Sequence, residues 1–248
     1  MDDCIYSQAA SFVSQLPQSP ARSHKDQPAV TLTFAQSLDG KISLPNHQLH
    51  LSGPESMAMT HHLRAVHDAI LVGVETVICD NPQLNVRHMS QSQLSSVENP
   101  QPVVLDSRLR IPLNARLLTA PQTDPRLKMP LIFTGPQYDP ACRTILERMG
   151  AHVIVVSCSE GRLQLNEVMR ELQRRGILRL MVEGGARVIQ SFMASDLCTT
   201  VIITIAPIYV GSEGVSASLM PCSSLNPQLY QPFGRDVVMV ANSCIRDD

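Results

Sequence analysis

Four short segments combine residue types that can hold a small phosphorylated ligand, and three of them directly follow an apolar run of strand length. Ser37-Leu38-Asp39-Gly40-Lys41-Ile42 places a carboxylate and an ammonium on either side of a glycine turn; an Asp-Gly pair is also an ordinary β-turn with solvated charges. The stretch from Leu63 to Arg87, LRAVHDAILVGVETVICDNPQLNVR, is bracketed by two arginines, Arg64 and Arg87. Gly73 opens a helix there, whose first amides are free to meet a phosphate or a cofactor amide, and Thr76 and Asp80 stand i,i+4 on one helical face. Arg64 and Arg87 suit a phosphate monoester, because a guanidinium fork matches its oxygens and keeps its charge; from spacing alone, two surface arginines would look the same.

Asp106-Ser107-Arg108 follows VVL and offers a hydroxyl and a guanidinium suited to the 2′-phosphate that separates NADP from NAD. In Val182-Glu183-Gly184-Gly185-Ala186-Arg187 a strand ends in a carboxylate, and two glycines let the backbone approach a dinucleotide pyrophosphate before a helix begins. Tight strand-helix packing explains one such glycine more readily than an adjacent pair. His61, His62 and His67 read as surface or packing histidines, since neighbours on a helix face different ways and cannot share a metal. No G-x-S-x-G, H-E-x-x-H, P-loop or G-x-G-x-x-G occurs, which argues against serine hydrolase, zincin, nucleoside triphosphatase and standard Rossmann chemistry.

The elements that must carry these segments alternate. AVTLTFA (29–35) is β-branched and stops at Asp39-Gly40, while Ser52 and Glu55 form a capping-box pattern with Pro54 in the first turn of a helix running to about Val66. AILVG (69–73), PVVLD (102–106), LIFT (131–134), HVIVV (152–156) and LRLMVE (178–183) are short apolar runs of the kind buried on both sheet faces. Helical periodicity covers Leu165–Arg174 and Gly185–Ala194, and TVIITIAP and RDVVMVA close the chain as two strands with no clear helix between them. The expected architecture is α/β: a mainly parallel sheet, helices on both faces and an antiparallel C-terminal edge. Residues 1–28, punctuated by Pro17, Pro20 and Pro28, read as a polar arm or short helix ahead of a single domain at 29–248, and 88–101 as an exposed loop serving neither core nor chemistry.

With 44% hydrophobic and 17% charged residues, a 248-residue chain can bury a substantial core, and a formal net charge of −2 without a basic cluster disfavours a nucleic-acid partner. Seven scattered cysteines with no C-x-x-C pair encode neither a disulfide framework nor a zinc site, so no metal is expected. No run approaches the roughly 18 apolar residues of a membrane span, and an acidic N-terminus is unlike a signal peptide; a soluble, cytoplasmic protein is expected.

Taken in order, SLDGKI, the D-A-I-L-V-G-x-x-T-V-x-x-D-N-P-x-L-x-x-R run, VVLDSRLR and VEGGAR resemble the reductase domain of riboflavin biosynthesis over about residues 29–214. Without a preceding deaminase signature, the likeness is to the stand-alone fungal and archaeal form rather than the fused bacterial enzyme. The resemblance implies a dihydrofolate reductase-like fold, a homodimer, and NADPH-dependent reduction of 2,5-diamino-6-ribosylamino-4(3H)-pyrimidinone 5′-phosphate to its ribitylamino product. It implies NADPH contacts at Ala35, Gly73, Thr76, Asp80, Ser107 and the Glu183–Arg187 turn, and substrate contacts at Arg64, Leu84, Arg87 and Glu183. Lys41 and Asp39 are expected to handle protons near the sugar, with Glu183 beside it. Relatives' indole contacts must be made otherwise in a chain without tryptophan, which leaves the region of Gln48 open. A dihydrofolate or pteridine reductase shares the fold but has no need of two phosphate-binding arginines, and a non-catalytic NADPH-binding protein would be expected to have lost Lys41, Asp80 or Glu183.

Overall fold

The structure, a computed structural model, describes residues 2–16, 26–45, 49–217 and 224–243; Pro17, Pro20 and Gln48 lie outside them. In chain order the elements are α1 (Asp2–Gln15), β1 (Ala29–Ser37), β2 (Lys41–Ser43), α2 (Pro54–Val66), β3 (Ala69–Gly73), α3 (Val74–Asp80), α4 (Gln91–Leu94), β4 (Gln101–Leu105) and α5 (Arg116–Thr119). They continue as β5 (Leu131–Thr134), α6 (Pro140–Arg148), β6 (His152–Val155), β7 (Cys158–Ser159), β8 (Arg162–Leu163), α7 (Leu165–Arg174), β9 (Arg179–Glu183) and α8 (Ala186–Met193). The chain closes through β10 (Cys198–Ala206), β11 (Val215–Ser216), β12 (Leu225–Phe233) and β13 (Asp236–Ser243).

Nine strands form one sheet in the order β12-β13-β10-β1-β9-β3-β4-β5-β6. From β10 to β6 every neighbour is parallel, and β13 and β12 add antiparallel pairs at one edge. The apolar runs are continuous because both faces are covered: Leu71, Val103 and Phe133 meet α7 and α8, while Ile70, Val72, Val104 and Ile132 meet α3 and α6. This is the α/β architecture the sequence predicts. β9 sits between β1 and β3, so the chain leaves β1 in both directions; the carboxyl ends of these strands are where an open parallel sheet offers a crevice.

Four local expectations are refined. Residues 2–15 form the helix of the two alternatives, and it is not loosely held: Ala9, Phe12 and Val13 are buried against α2 and β12–β13, and Phe12 meets Phe233 edge to face at 5.1 Å. The α2 N-cap is Gly53, not Ser52, and no capping box forms; the buried Asp236 carboxylate accepts from Gly53 N at 2.7 Å and from the Ser56 hydroxyl instead. The 88–101 loop carries α4, capped by Ser90 and Gln93; it also buries Met89, and its Asn99 Oδ1 accepts from Val86 N at 2.9 Å, so part of it serves the core. β12 is an additional strand, and its Pro227 and Pro232 fit an edge position, where no ladder donor is required.

Candidate active site

A cavity of about 870 Å³ opens at the carboxyl ends of β1, β9, β3 and β10, walled by α2 and by the segment 80–88. It brings together Ala35, Thr76, Asp80, Glu183, Gly184, Gly185, Arg64, Leu84 and Arg87, drawn from segments far apart in sequence.

Arg64 and Glu183 dominate its floor. The Arg64 guanidinium donates from Nε to Glu183 Oε1 at 2.8 Å and from Nη2 to Oε2 at 2.7 Å, and Nη1 donates to the Asn85 carbonyl at 3.0 Å. The side chains are 10% and 20% exposed, so this is a largely desolvated bidentate pair. Of the two arginines expected to pair on a phosphate, Arg64 spends its fork on Glu183 in this structure. Arg87 is exposed at the cavity wall, with a 3.4 Å contact to Gln83 Oε1.

The backbone that presents Arg87 is held from behind. His61, one turn before Arg64 on α2 and fully buried, accepts the Arg87 amide on Nδ1 at 2.9 Å. Burial, reinforced by the cations around it, pushes the His61 pKa down to about 2, so the ring stays neutral. His88 packs edge-on against it with centroids 4.7 Å apart, and burial likewise lowers the His88 pKa. The 80–88 segment also holds Asn81 and Leu84 at φ 43° and 54°, left-handed conformations that the surrounding contacts must enforce. His61 was legible as a wall residue, because i,i+3 spacing puts it on the face of Arg64.

At the end of β9 the two glycines have different jobs. A Cβ on Gly184 would lie 2.7 Å from Val188 Cβ, so that glycine lets α8 pack closely; Gly73 meets the same Val188 side chain at 2.8 Å. A Cβ on Gly185 would meet Thr76 Oγ1 at 3.4 Å and fill space on the cavity wall. The first amides of α8 to reach a backbone acceptor are Val188 and Ile189, both on Gly185 O, so Ala186 and Arg187 present donors to an external acceptor. Partial burial raises the Asp80 pKa, with His50 acting against it.

Asp39 and Lys41 are elsewhere. Asp39 Oδ1 accepts from Ser37 Oγ at 2.5 Å and from Val210 N at 3.1 Å, and Oδ2 accepts from Gly211 N at 2.7 Å. The Ser37 bond and then those two amides hold its pKa down to about 2. Lys41 Nζ donates to Ser216 Oγ at 2.8 Å and its stem lies against Gly214. Neither is among the residues walling the cavity: the pair clasps the 210–216 segment to the β1–β2 turn, so the structure does not bring them to the cavity where proton handling is expected of them. Ser107 follows β4 on the same side of the sheet, with its carbonyl on Gly135 N, and is likewise off the wall, as are Gly73, Ala186 and Arg187. Among the described residues no group of three or more His, Cys, Asp or Glu is placed to hold a metal, and no helix is long and apolar enough to cross a membrane.

Residues 28–238 match the family model described as the RibD C-terminal domain. The 2,5-diamino-6-ribosylamino-4(3H)-pyrimidinone 5′-phosphate reductase of Saccharomyces cerevisiae is 32% identical over 232 residues, 91% of each chain. The enzyme of the same name from Archaeoglobus fulgidus is 35% identical over 192 residues, 75% of this chain and 84% of that one. Among solved structures, the riboflavin biosynthesis reductase of Saccharomyces cerevisiae superposes with a TM-score of 0.77 at 28% identity, covering 94% of this chain and 98% of the other.

Proposed function

The chain belongs to the RibD C-terminal domain family of riboflavin-biosynthesis reductases, and from that premise we propose that it reduces 2,5-diamino-6-ribosylamino-4(3H)-pyrimidinone 5′-phosphate to the ribitylamino product with NADPH. The observation that carries the proposal is the joining, in one cavity, of a glycine-opened helix end, a carboxylate locked by a guanidinium fork and a second guanidinium at the wall.

The donor set suits a dinucleotide. The free amides of Ala186 and Arg187 at the start of α8 would take the pyrophosphate, Gly185 would keep the approach clear, and Thr76, Asp80 and Ala35 would hold the nicotinamide end. Gly73 acts indirectly, by seating α8, and Ser107 would contact the cofactor's 2′-phosphate. The chemistry supplied by a bound nicotinamide is hydride, delivered to C1′ of the ring-opened ribosylamine. The former ring oxygen leaves the reaction as a hydroxyl bearing a proton. Glu183 presents its remaining lone pairs to the sugar hydroxyls from a position that Arg64 fixes, and Leu84 closes the wall beside them. Arg87 meets the 5′-phosphate. A cytoplasmic homodimer is part of the same proposal, its stoichiometry measurable by analytical ultracentrifugation.

Mixing the purified chain with NADPH and the diaminopyrimidine ribosyl phosphate should give a fall in nicotinamide absorbance matched by ribitylamino product in the mass spectrum. No reduction of that compound would reject the proposal.

A further inference from the structure

If Arg64 is committed to Glu183, a doubly charged phosphate needs a second cation beside Arg87, and the cavity wall holds one that the sequence motifs did not single out. Arg116, at the start of α5, lines the same cavity and is exposed; among the described residues its guanidinium forms no ion pair. Its backbone is fixed as that of Arg87 is: Asn81 Oδ1 accepts the Arg116 amide at 2.8 Å, as His61 Nδ1 accepts the Arg87 amide at 2.9 Å. Asn81 can do this because it ends α3 in the left-handed conformation, turning its side chain away from the helix. Two arginines are thus held by their backbones at one wall, Arg116 without an ion pair among the described residues and Arg87 with a 3.4 Å contact to Gln83 Oε1. Their mutual repulsion is felt, since Arg87 is the less basic for burial and for Arg64 and Arg116 nearby. Glu183, engaged by Arg64, offsets that repulsion only in part, so the pair of like charges is complete when an anion arrives.

We infer that Arg116 and Arg87 together form the phosphate-monoester subsite of this cavity and seat the substrate's 5′-phosphate, Arg64 taking no part. The identity of that substrate rests on the function proposed above; the subsite does not.

The test compares wild type, Arg116→Gln and Arg116→Lys with the phosphorylated substrate, the dephosphorylated ribosylaminopyrimidine, NADPH and NADH. Losing one charge-assisted fork should lower the ratio of kcat/KM for phosphorylated over dephosphorylated substrate about tenfold to a hundredfold in Arg116→Gln. Arg116→Lys, with charge but no fork, should fall between, and the NADPH-to-NADH preference should stay put. A selective loss of NADPH preference would assign Arg116 to the cofactor's 2′-phosphate and overturn the inference, as would an unchanged substrate ratio. Ribose 5-phosphate serves as a probe without turnover: it should raise the melting temperature of wild type and much less that of Arg116→Gln. If wild type shows that protection yet does not reduce the diaminopyrimidine, the function proposal fails while the subsite survives; equal protection of both proteins removes the subsite.

Discussion

Removing Arg64 should reveal a strut rather than a ligand. In Arg64→Ala, Glu183 loses both bonds from the guanidinium while 20% exposed, and the Asn85 carbonyl loses its donor. Stranding a largely buried carboxylate in this way should cost about 3 kcal/mol of stability. Glu183→Ala leaves Arg64 with Asn85 O and a cavity open to water, so the loss should be smaller, about 2 kcal/mol. With both gone, the second removal takes little further, and a coupling of about 2 kcal/mol should appear in a double-mutant cycle. The assay is urea unfolding of wild type, both single variants and the double variant, with m values compared to confirm that one transition is being measured. Additivity within about 0.5 kcal/mol would refute the reasoning and return Arg64 to the pool of free anion ligands.

Gly73→Ala should destabilise by about 1–3 kcal/mol because its new methyl meets Val188 Cγ2 at 2.8 Å, and combining it with Val188→Ala should recover part of that loss in the same unfolding assay. Phe12→Ala should lower stability by about 3–5 kcal/mol, since Phe12 is fully buried against Phe233; a loss below about 1 kcal/mol would mean that α1 is not integral to the core. His61 has its pKa lowered from 6.5 to about 2, so the unfolded chain takes up a proton there that the folded chain refuses. Its contribution is therefore present above pH 6.5 and lost as pH falls, weakening the fold by about 2 kcal/mol between about pH 7 and pH 5. In His61→Asn, which keeps an acceptor for the Arg87 amide, that part of the pH dependence should vanish.

What the sequence revealed was what is local. AILVG and LRLMVE announce strands buried on both faces because consecutive side chains, Ala69 to Val72 and Leu180 to Val182, are apolar. Ile5, Ala9, Phe12 and Val13 also follow helical spacing, which favours the helix over the arm, the two alternatives left open by the prolines downstream. β12 was not readable: two prolines and alternating polar residues suit an edge strand as well as a loop, and pairing with β13 decides. The α2 cap comes from Asp236, 183 residues along the chain from Gly53, beyond any local pattern. Residue types singled out Thr76, Asp80, Arg87, Glu183 and Gly185, which the structure brings together at one cavity wall. They gave no sign of partnership, because nothing in a motif says that Arg64 will meet Glu183, or that Asp39 and Lys41 will clasp the 210–216 segment.

The most direct test follows the hydride itself. NADPH carrying deuterium at both C4 positions of the nicotinamide should yield a ribitylamino product heavier by one deuterium than that from unlabelled cofactor, with the label at C1′ by fragmentation. Product formed without the label, or label on the pyrimidine ring, would contradict the account.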